Sequence, residues 1–296
     1  MDENEFLADR FAAYRGHLKA VAYRMLGSLS EADDAVQEAW LRLSRTGAGE
    51  VENLGGWLTT VVGRVCLDML RSRTSRREDP LEEHLPDPVI SPAAGIEPEQ
   101  EALLADSVGL ALLVVLESLA PAERLAFVLH DMFAVPFEEI APMVGRTPSA
   151  ARQLASRARR RVQGTVPASE PDLALQRQVA DAFLAASRGG DFDALVAVLD
   201  PDVVLRADTP GGLRTFQGAA TVAGQAILFG RSTGAPTPVY AALPALVNGT
   251  AGLVSTADGQ PVSVMSFTIA AGRIAGIDII ADPARLARLD LTMLEN

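Results

Sequence analysis

Three features of the sequence predict a multidomain protein in which two all-α domains, a helical bundle and then a helix-turn-helix, precede an α+β domain. Apolar residues recur every three or four positions through the N-terminal part and again between residues 101 and 165. An acidic, proline-rich stretch separates those two helical parts. After residue 172 the pattern changes to short alternating segments joined by Asn-Gly and Asp-Gly pairs, which are hairpin signals. A chain of 296 residues has room for several cores, at roughly 100 to 200 residues per domain. The boundaries expected are 1–77, a linker over 78–100, 101–165 and 172–296.

Leu7, Phe11, Tyr14, Leu18, Val21 and Met25 fall at spacings of four and three, so they form one stripe of a first helix that Gly27 ends. Ser30 opens a second helix with Asp33 three residues on, and Glu31, Asp33 and Asp34 occupy the first turn, where the helix dipole favours acids. Val36, Ala39, Trp40 and Leu43 form its buried side. Asp34, Gln37, Glu38 and Leu41 then face outward. A Gly-rich loop follows from Thr46 to Gly56, and a third helix from about Trp57 to Arg73, with Leu58, Val62, Val65 and Met69 inward and Arg64 and Arg71 outward.

The linker holds five prolines between Glu78 and Gln100 and shows no period. Helix resumes at Glu101, and three short helices follow: Pro121 to Met132, Pro136 to Val144 and Pro148 to about Gln163. Only Gly145, Arg146 and Thr147 separate the last two, the tight connection of a helix-turn-helix. Phe137, Ile140 and Val144 point inward. On the final helix Ala151, Leu154, Ala158 and Val162 fall on one face, opposite Arg152, Gln153, Ser156, Arg157 and Arg160. Thr147 and Pro148 suit the N-cap and first helical position, which leaves free N–H groups beside polar side chains, as in a helix whose N-terminus enters a major groove.

Beyond Pro171, two helices (Leu173 to Ser187, Phe192 to Leu199) precede strands at Val203 to Ala207, Val239 to Val247, Thr250 to Thr256, Val262 to Ile269 and Ile274 to Ile280. Met265, Phe267 and Ile269 alternate with Ser266 and Thr268. A curved antiparallel sheet wrapping helices is expected.

Charge is segregated. The net value of −12 conceals five arginines against one acid over Arg64 to Arg77, nine acids and no Lys or Arg over Glu78 to Asp106, and six arginines with no acid over Val144 to Gly164. The lone Cys66 excludes an internal disulfide and suits a reducing cytoplasm. The acidic MDENEF start does not read as a secretory signal, and the run Val108 to Leu116 is about half a bilayer span. No metal-ligand spacing occurs, and no cofactor is expected. His130 reads as a packing residue.

The stretches DDAVQEAWLRL (Asp33 to Leu43), GWLTTVVGRVCLDMLRSR (Gly56 to Arg73) and LAPAERLAFVLHDMFAVPFEEIAPMVGRTPSAARQLASRARRRV (Leu119 to Val162) resemble regions two and four of extracytoplasmic-function (ECF) RNA polymerase sigma factors. The part from about Leu173 is similar to a SnoaL-like (NTF2-like) cone domain. The whole resembles the sigma subgroup with a fused C-terminal SnoaL-like extension.

The resemblance implies partners and roles. Asp34, Gln37, Glu38 and Leu41 match the surface that docks on the clamp helices of core RNA polymerase, and region four implies a contact with the polymerase flap. Arg64, Arg71, Arg73, Arg76 and Arg77 match the part that handles the promoter's minus-ten element, where a base is extruded and single-stranded DNA lies along basic residues. The strand-melting aromatics of primary sigma factors are missing apart from Trp57, which implies weaker melting and more dependence on promoter sequence. Arg146, Thr147, Ser149, Arg152, Gln153, Ser156 and Arg157 match the reading helix for the minus-thirty-five element. The subgroup's linker motif reads His84-Leu85-Pro86-Asp87-Pro88-Val89, with His84 where the family has Trp. Its C-terminal motifs read Asp208-Thr209-Pro210-Gly211-Gly212 and Asp282-Pro283-Ala284-Arg285-Leu286. They imply a regulatory contact through Leu85, Pro86, Pro88, Asp208, Gly211, Gly212, Asp282 and Pro283, with no dedicated anti-sigma factor and with room for a small-molecule ligand in the C-terminal pocket.

The competing reading is an enzyme in the C-terminal domain, a ketone isomerase or cyclase with a carboxylate base among Asp208, Asp258, Asp278 and Asp282. All three histidines, His17, His84 and His130, lie outside that domain, and Tyr240 is its only tyrosine. A dimeric helix-turn-helix repressor leaves the N-terminal three-helix block without a purpose.

Overall fold

The computed structural model describes residues 3–46, 53–75, 84–93, 109–165, 170, 172–232 and 240–291. They form two bodies, one helical and one built on a sheet, and the segments 84–93 and 109–111 belong to the sheet body.

In the helical body α1 (Glu3–Leu26), α2 (Leu29–Thr46) and α3 (Leu54–Ser75) pack as a bundle. The predicted stripe of α1 is its buried side: Leu7, Phe11, Leu18, Val21 and Met25 are all buried. Gly27 ends the helix with φ 72°, a left-handed conformation that costs a Cβ-free residue little. Helix α2 begins one residue before Ser30, because the Ser28 carbonyl already accepts the Ala32 N–H at 3.0 Å. Helix α3 begins three residues before Trp57. Asn53 caps it by accepting the Gly56 N–H at 3.0 Å, so the two glycines belong to the first turn and not to a loop.

The second half of this body holds α4 (Leu110–Glu117) from Leu112 onward, α5 (Pro121–Phe127), a π-turn (Val128–Met132), α6 (Phe137–Val144) and α7 (Pro148–Thr165). Helix α6 ends at Gly145, whose φ of 65° turns the chain into α7. On α7 Ala151 and Ala158 are buried as expected, joined by Ala155, while Leu154 and Val162 are half-buried at the edge of that face. These alanines let α7 approach α5 and α6 closely.

The two helical halves pack as one body. Gly63 of α3 lies where an added Cβ would stand 3.3 Å from Leu129 and 3.4 Å from Leu125. Phe133 meets the edge of His17 at 5.2 Å and the Arg24 guanidinium at 5.0 Å. Arg124, 5% exposed, donates to the Met25 carbonyl at 2.8 Å. Burial pushes its pKa down to about 10, against the pull of Glu117, so it stays a cation near neutrality.

The sheet body contains α8 (Leu173–Gly189), α9 (Phe192–Val198), α10 (Ala219–Ser232) and the short α11 (Pro283–Leu286) around seven strands. The strands are β1 (Ile90–Pro92), β2 (Leu199–Thr209), β3 (Gly212–Gln217), β4 (Tyr240–Val247), β5 (Thr250–Ala257), β6 (Gln260–Ala270) and β7 (Arg273–Ile280), in the order β1-β4-β5-β6-β7-β2-β3. The α+β expectation holds, with three differences. Strand β2 pairs with β7 in parallel, so the sheet is mixed. Strand β3 and helix α10, unpredicted, follow a tight turn at Gly211-Gly212. The linker contributes β1, antiparallel to β4 at the sheet edge.

The three hairpins turn where expected: Asn248-Gly249, Asp258-Gly259 and Ala271-Gly272 each have positive φ at both positions, which matches the twist of the strands they join. One face of the sheet packs on the helices through Leu205, Ala207, Leu253, Phe267 and Ile277, with Phe183 of α8 edge-on to Phe267 at 5.7 Å. Gly252 has no space for a side chain, since a Cβ would stand 2.5 Å from Val247 Cγ2 and 2.6 Å from the Met265 carbonyl. Gly252→Ala is expected to destabilise the sheet body by about 1–3 kcal/mol, read as a lower urea midpoint at unchanged slope.

Candidate functional site

Four groups of side chains carry the chemistry the sequence pointed to, three in the helical body and one in the sheet body. On α2, Asp34 and Gln37 are exposed, Glu38 is ion-paired to Arg42 at 2.9 Å, and Leu41 is 40% exposed, one of the few large apolar side chains in solvent. Amphipathicity of α2 makes this face: Ala32, Ala35, Val36, Ala39 and Leu43 are buried on the other side. Beside it a cavity of about 360 Å³ opens between α1 and α2, lined by Phe11, Trp40, Arg15, Asp33 and Gln37.

On α3, Arg64 is exposed and Arg71 is exposed 3.9 Å from Asp68. Arg73 is differently placed. Its guanidinium is half-buried, ion-paired with Glu31 and donating to the Leu26 carbonyl at 3.4 Å, so it ties the end of α3 to the α1–α2 turn. Burial lowers its pKa, and Glu117 partly offsets this. Arg76 and Arg77 lie outside the described residues. Among the described residues of this group, Arg64 and Arg71 are therefore the cations presented to solvent. Cys66, on the buried side of α3, has its thiol pushed up to about 12 by burial and is inert packing.

At the start of α7, Arg146, Thr147, Ser149, Arg152 and Gln153 are exposed, and Thr147 caps the helix by accepting the Ala150 N–H at 3.3 Å. Ser156 is half-buried. Arg157 is ion-paired with Glu123 at 2.9 Å, and Arg159 of the same helix with Asp131. Arg157 and Arg159 thus brace α7 against α5 and the π-turn. Arg160 and Arg161 donate to the Ser156 and Ser118 carbonyls at 3.4 and 3.1 Å, and Arg146 and Arg152 form no ion pair among the described residues.

In the sheet body the linker motif is bound to the C-terminal motifs by charge. Asp208 is fully buried, and its carboxylate lies 3.0 Å from His84 Nδ1, accepts the Leu85 N–H at 3.1 Å and is ion-paired with Arg285. Arg285 donates in addition to Asp87 at 2.9 Å. Leu85, Pro86, Pro88 and Val89 are buried around this network. Asn248 completes the seam: its Oδ1 accepts the Val89 N–H at 3.1 Å and its own N–H donates to the Val89 carbonyl at 2.8 Å. Asp282 caps α11 by accepting the Arg285 N–H at 3.0 Å, with Pro283 at the first helical position. Gly211 and Gly212 serve the β2–β3 turn. Arg285 and Asn248 are the contributors not singled out from sequence. The signal for Arg285 was a cation in the same short motif as Asp282.

The four carboxylates considered as a catalytic base are all accounted for. Asp258 occupies a hairpin turn with φ 50°, Asp282 caps a helix and Asp208 holds the linker. Asp278, between core residues Ile277 and Ile279, points to the face away from the helices and is bound by Arg206 at 2.6 and 3.3 Å. Among the described residues no cluster of three or more His, Cys, Asp or Glu is placed to hold a metal, and no helix is long and apolar enough to cross a membrane.

Residues 10–76 match the family described as Sigma-70 region 2, and residues 109–162 the family described as Sigma-70, region 4. A Mycobacterium tuberculosis protein named "Probable ECF RNA polymerase sigma factor SigI" is 36% identical over 286 residues, 97% of each chain. This chain belongs to the ECF RNA polymerase sigma factors. A second M. tuberculosis relative, the ECF RNA polymerase sigma factor SigJ, is 38% identical over 92% of this sigma factor and 91% of its own length. The crystal structure of SigJ superposes with a TM-score of 0.77 at 34% identity, covering 96% of this chain and 99% of that one, so the likeness includes the sheet body. As a sigma factor the chain works with core RNA polymerase at promoters to initiate transcription, and sigma factors are not enzymes.

Two outcomes are expected. Arg285→Ala removes the main counter-charge of a buried carboxylate and should cost the sheet body about 3 kcal/mol, with faster proteolysis within residues 84–93. Burial raises the Asp278 pKa above its ordinary 3.8, more than Arg206 lowers it, so the folded chain holds this proton more tightly than the unfolded chain does. Its contribution to stability is full at acid pH and is lost as pH rises through the folded value. Melting curves of Asp278→Asn from about pH 4 to 8 should lack that loss.

Proposed function

We propose that this ECF sigma factor docks on the polymerase clamp through the α2 face, handles the minus-ten element with Arg64 and Arg71, and reads the minus-thirty-five element with the N-terminal turns of α7. Its sheet body controls that activity by holding the linker. The α2 face suits a basic coiled coil, since it combines Asp34 and Glu38 with the exposed Leu41. The start of α7 combines a helix N-terminus with side chains that donate to phosphates and base edges.

The observation that carries the regulatory part is the network on Asp208. A segment joining two helical parts of a transcription factor ordinarily floats, whereas here its motif residues are buried and its charges paired with the sheet body. The same network argues against a catalytic role for that body. Among the described residues its buried carboxylates are Asp208 and Asp278, whose oxygens are engaged inside the protein by Arg285 and Arg206. Within the sheet body the helix-side face is filled by Phe183, Leu253 and Phe267. The sheet body is thus a clamp on the linker in this reading.

Run-off transcription tests both parts. The full chain with core polymerase should give promoter-dependent transcripts from the promoter upstream of its own gene, and Arg285→Ala should change their yield severalfold without moving the start site. Lack of any transcript with active polymerase would overturn the initiation reading. Equal yields from the two proteins would overturn the regulatory one.

A further inference from the structure

Among the α7 arginines Arg152 is held in a distinctive way. Arg157 and Arg159 use their N–H groups on Glu123 and Asp131. Arg152, in the second turn of α7, meets no carboxylate among the described residues, and its guanidinium lies over the ring of Phe137, 5.1 Å from the centroid. Phe137 is the first residue of α6 and is buried at 7% exposure. Its ring stacks in turn on His130, with centroids 3.8 Å apart and planes 30° from parallel. His130 is fixed on the π-turn, with Nδ1 3.0 Å from the Val135 carbonyl.

A guanidinium has five N–H donors directed outward in its own plane, and a ring beneath its face restrains it without using any of them. An ion pair would restrain it equally well but would consume the fork. Free arginine side chains lose about 2 kcal/mol of rotamer entropy when fixed, a cost that falls on binding unless the free protein has already met it. The stack restrains the side chain before DNA arrives and leaves its donors unspent.

We propose that Phe137, backed by His130, is a positioning residue for promoter recognition: it holds Arg152 ready to donate both ends of its fork to a guanine edge in the minus-thirty-five element. The inference rests on the reading of α7 as the minus-thirty-five helix. Arg with guanine O6 and N7 is the pairing that two parallel N–H donors make most readily in the major groove. Phe137 itself touches no DNA in this scheme and acts only through Arg152.

The test is run-off transcription by the full chain with core polymerase on the promoter upstream of its own gene, with each position of the minus-thirty-five element substituted in turn. Arg152→Ala should lose about tenfold preference for guanine at one position. Phe137→Leu should lose about two- to fivefold at that same position and leave preferences elsewhere unchanged, whereas Phe137→Tyr, which keeps the ring, should retain them. In the Arg152→Ala background, Phe137→Leu should have no further effect there. Equal loss at every position, or full retention by Phe137→Leu, would overturn the positioning role while leaving the α7 reading standing. Unchanged preferences in Arg152→Ala would remove the role of Arg152 in reading DNA, and the platform with it. If Phe137→Leu fails to fold, the unmutated chain decides: the Arg152 Nε–H resonance, assigned by its loss in Arg152→Lys, should carry a ring-current shift, and absence of that shift would overturn the contact.

Discussion

A carboxylate with no access to water must be met by donors, and Asp208 draws them from distant parts of the sequence. His84 and the Leu85 N–H come from the linker, and Arg285 comes from the last helix. Burying such a charge without partners would cost several kcal/mol, so strand β2 can carry Asp208 inside only if those segments are present together. The linker motif and the short helix α11 meet at this one acid, and the Asn248 seam with Val89 carries the linker on to β1 at the sheet edge. The network is more than a fastening of two chain ends. It makes the linker part of a folded body, so a sequence that reads as a tether behaves as an element of the sheet.

The helical body solves a related problem in another way. Its halves meet through small residues and buried arginines: Gly63 admits Leu125 and Leu129 at close range, and Arg124 meets the carbonyl of Met25. Helix C-termini leave carbonyls without partners, and a cation is a natural cap for them. The same economy governs α7, where acids on α5 and the π-turn take the arginines that brace the helix. At its N-terminal end Arg146 and Arg152 form no ion pair among the described residues, which is what the proposed contact with DNA requires.

Legibility in the sequence followed periodicity. The buried stripe of α1, the α6–Gly145–α7 turn and the three hairpins were readable because each rests on local spacing or on a residue needing positive φ. The parallel pairing of β2 with β7 was not, since it is set by partners far apart in the chain. Strand β3 is largely solvent-exposed and α10 is built from small residues interrupted by Gly224, so neither shows a clear apolar face. For the site, residue type identified the exposed groups on α2 and α7. It could not tell that Arg73 turns inward to Glu31, because a solvent-facing arginine and a buried, paired one look alike in a one-dimensional pattern. Asn248 was read as a turn residue, which it is, and its side chain serves the linker as well.

Docking of the linker also sets a length. The ten described residues from His84 to Ala93 would span about 33 Å if fully extended, and while they are held on the sheet that contour is withdrawn from the connection between α3 and α4. Release of the segment would return that contour to the connection between α3 and α4, so the contacts at Asp208 set how much free chain lies between those two helices.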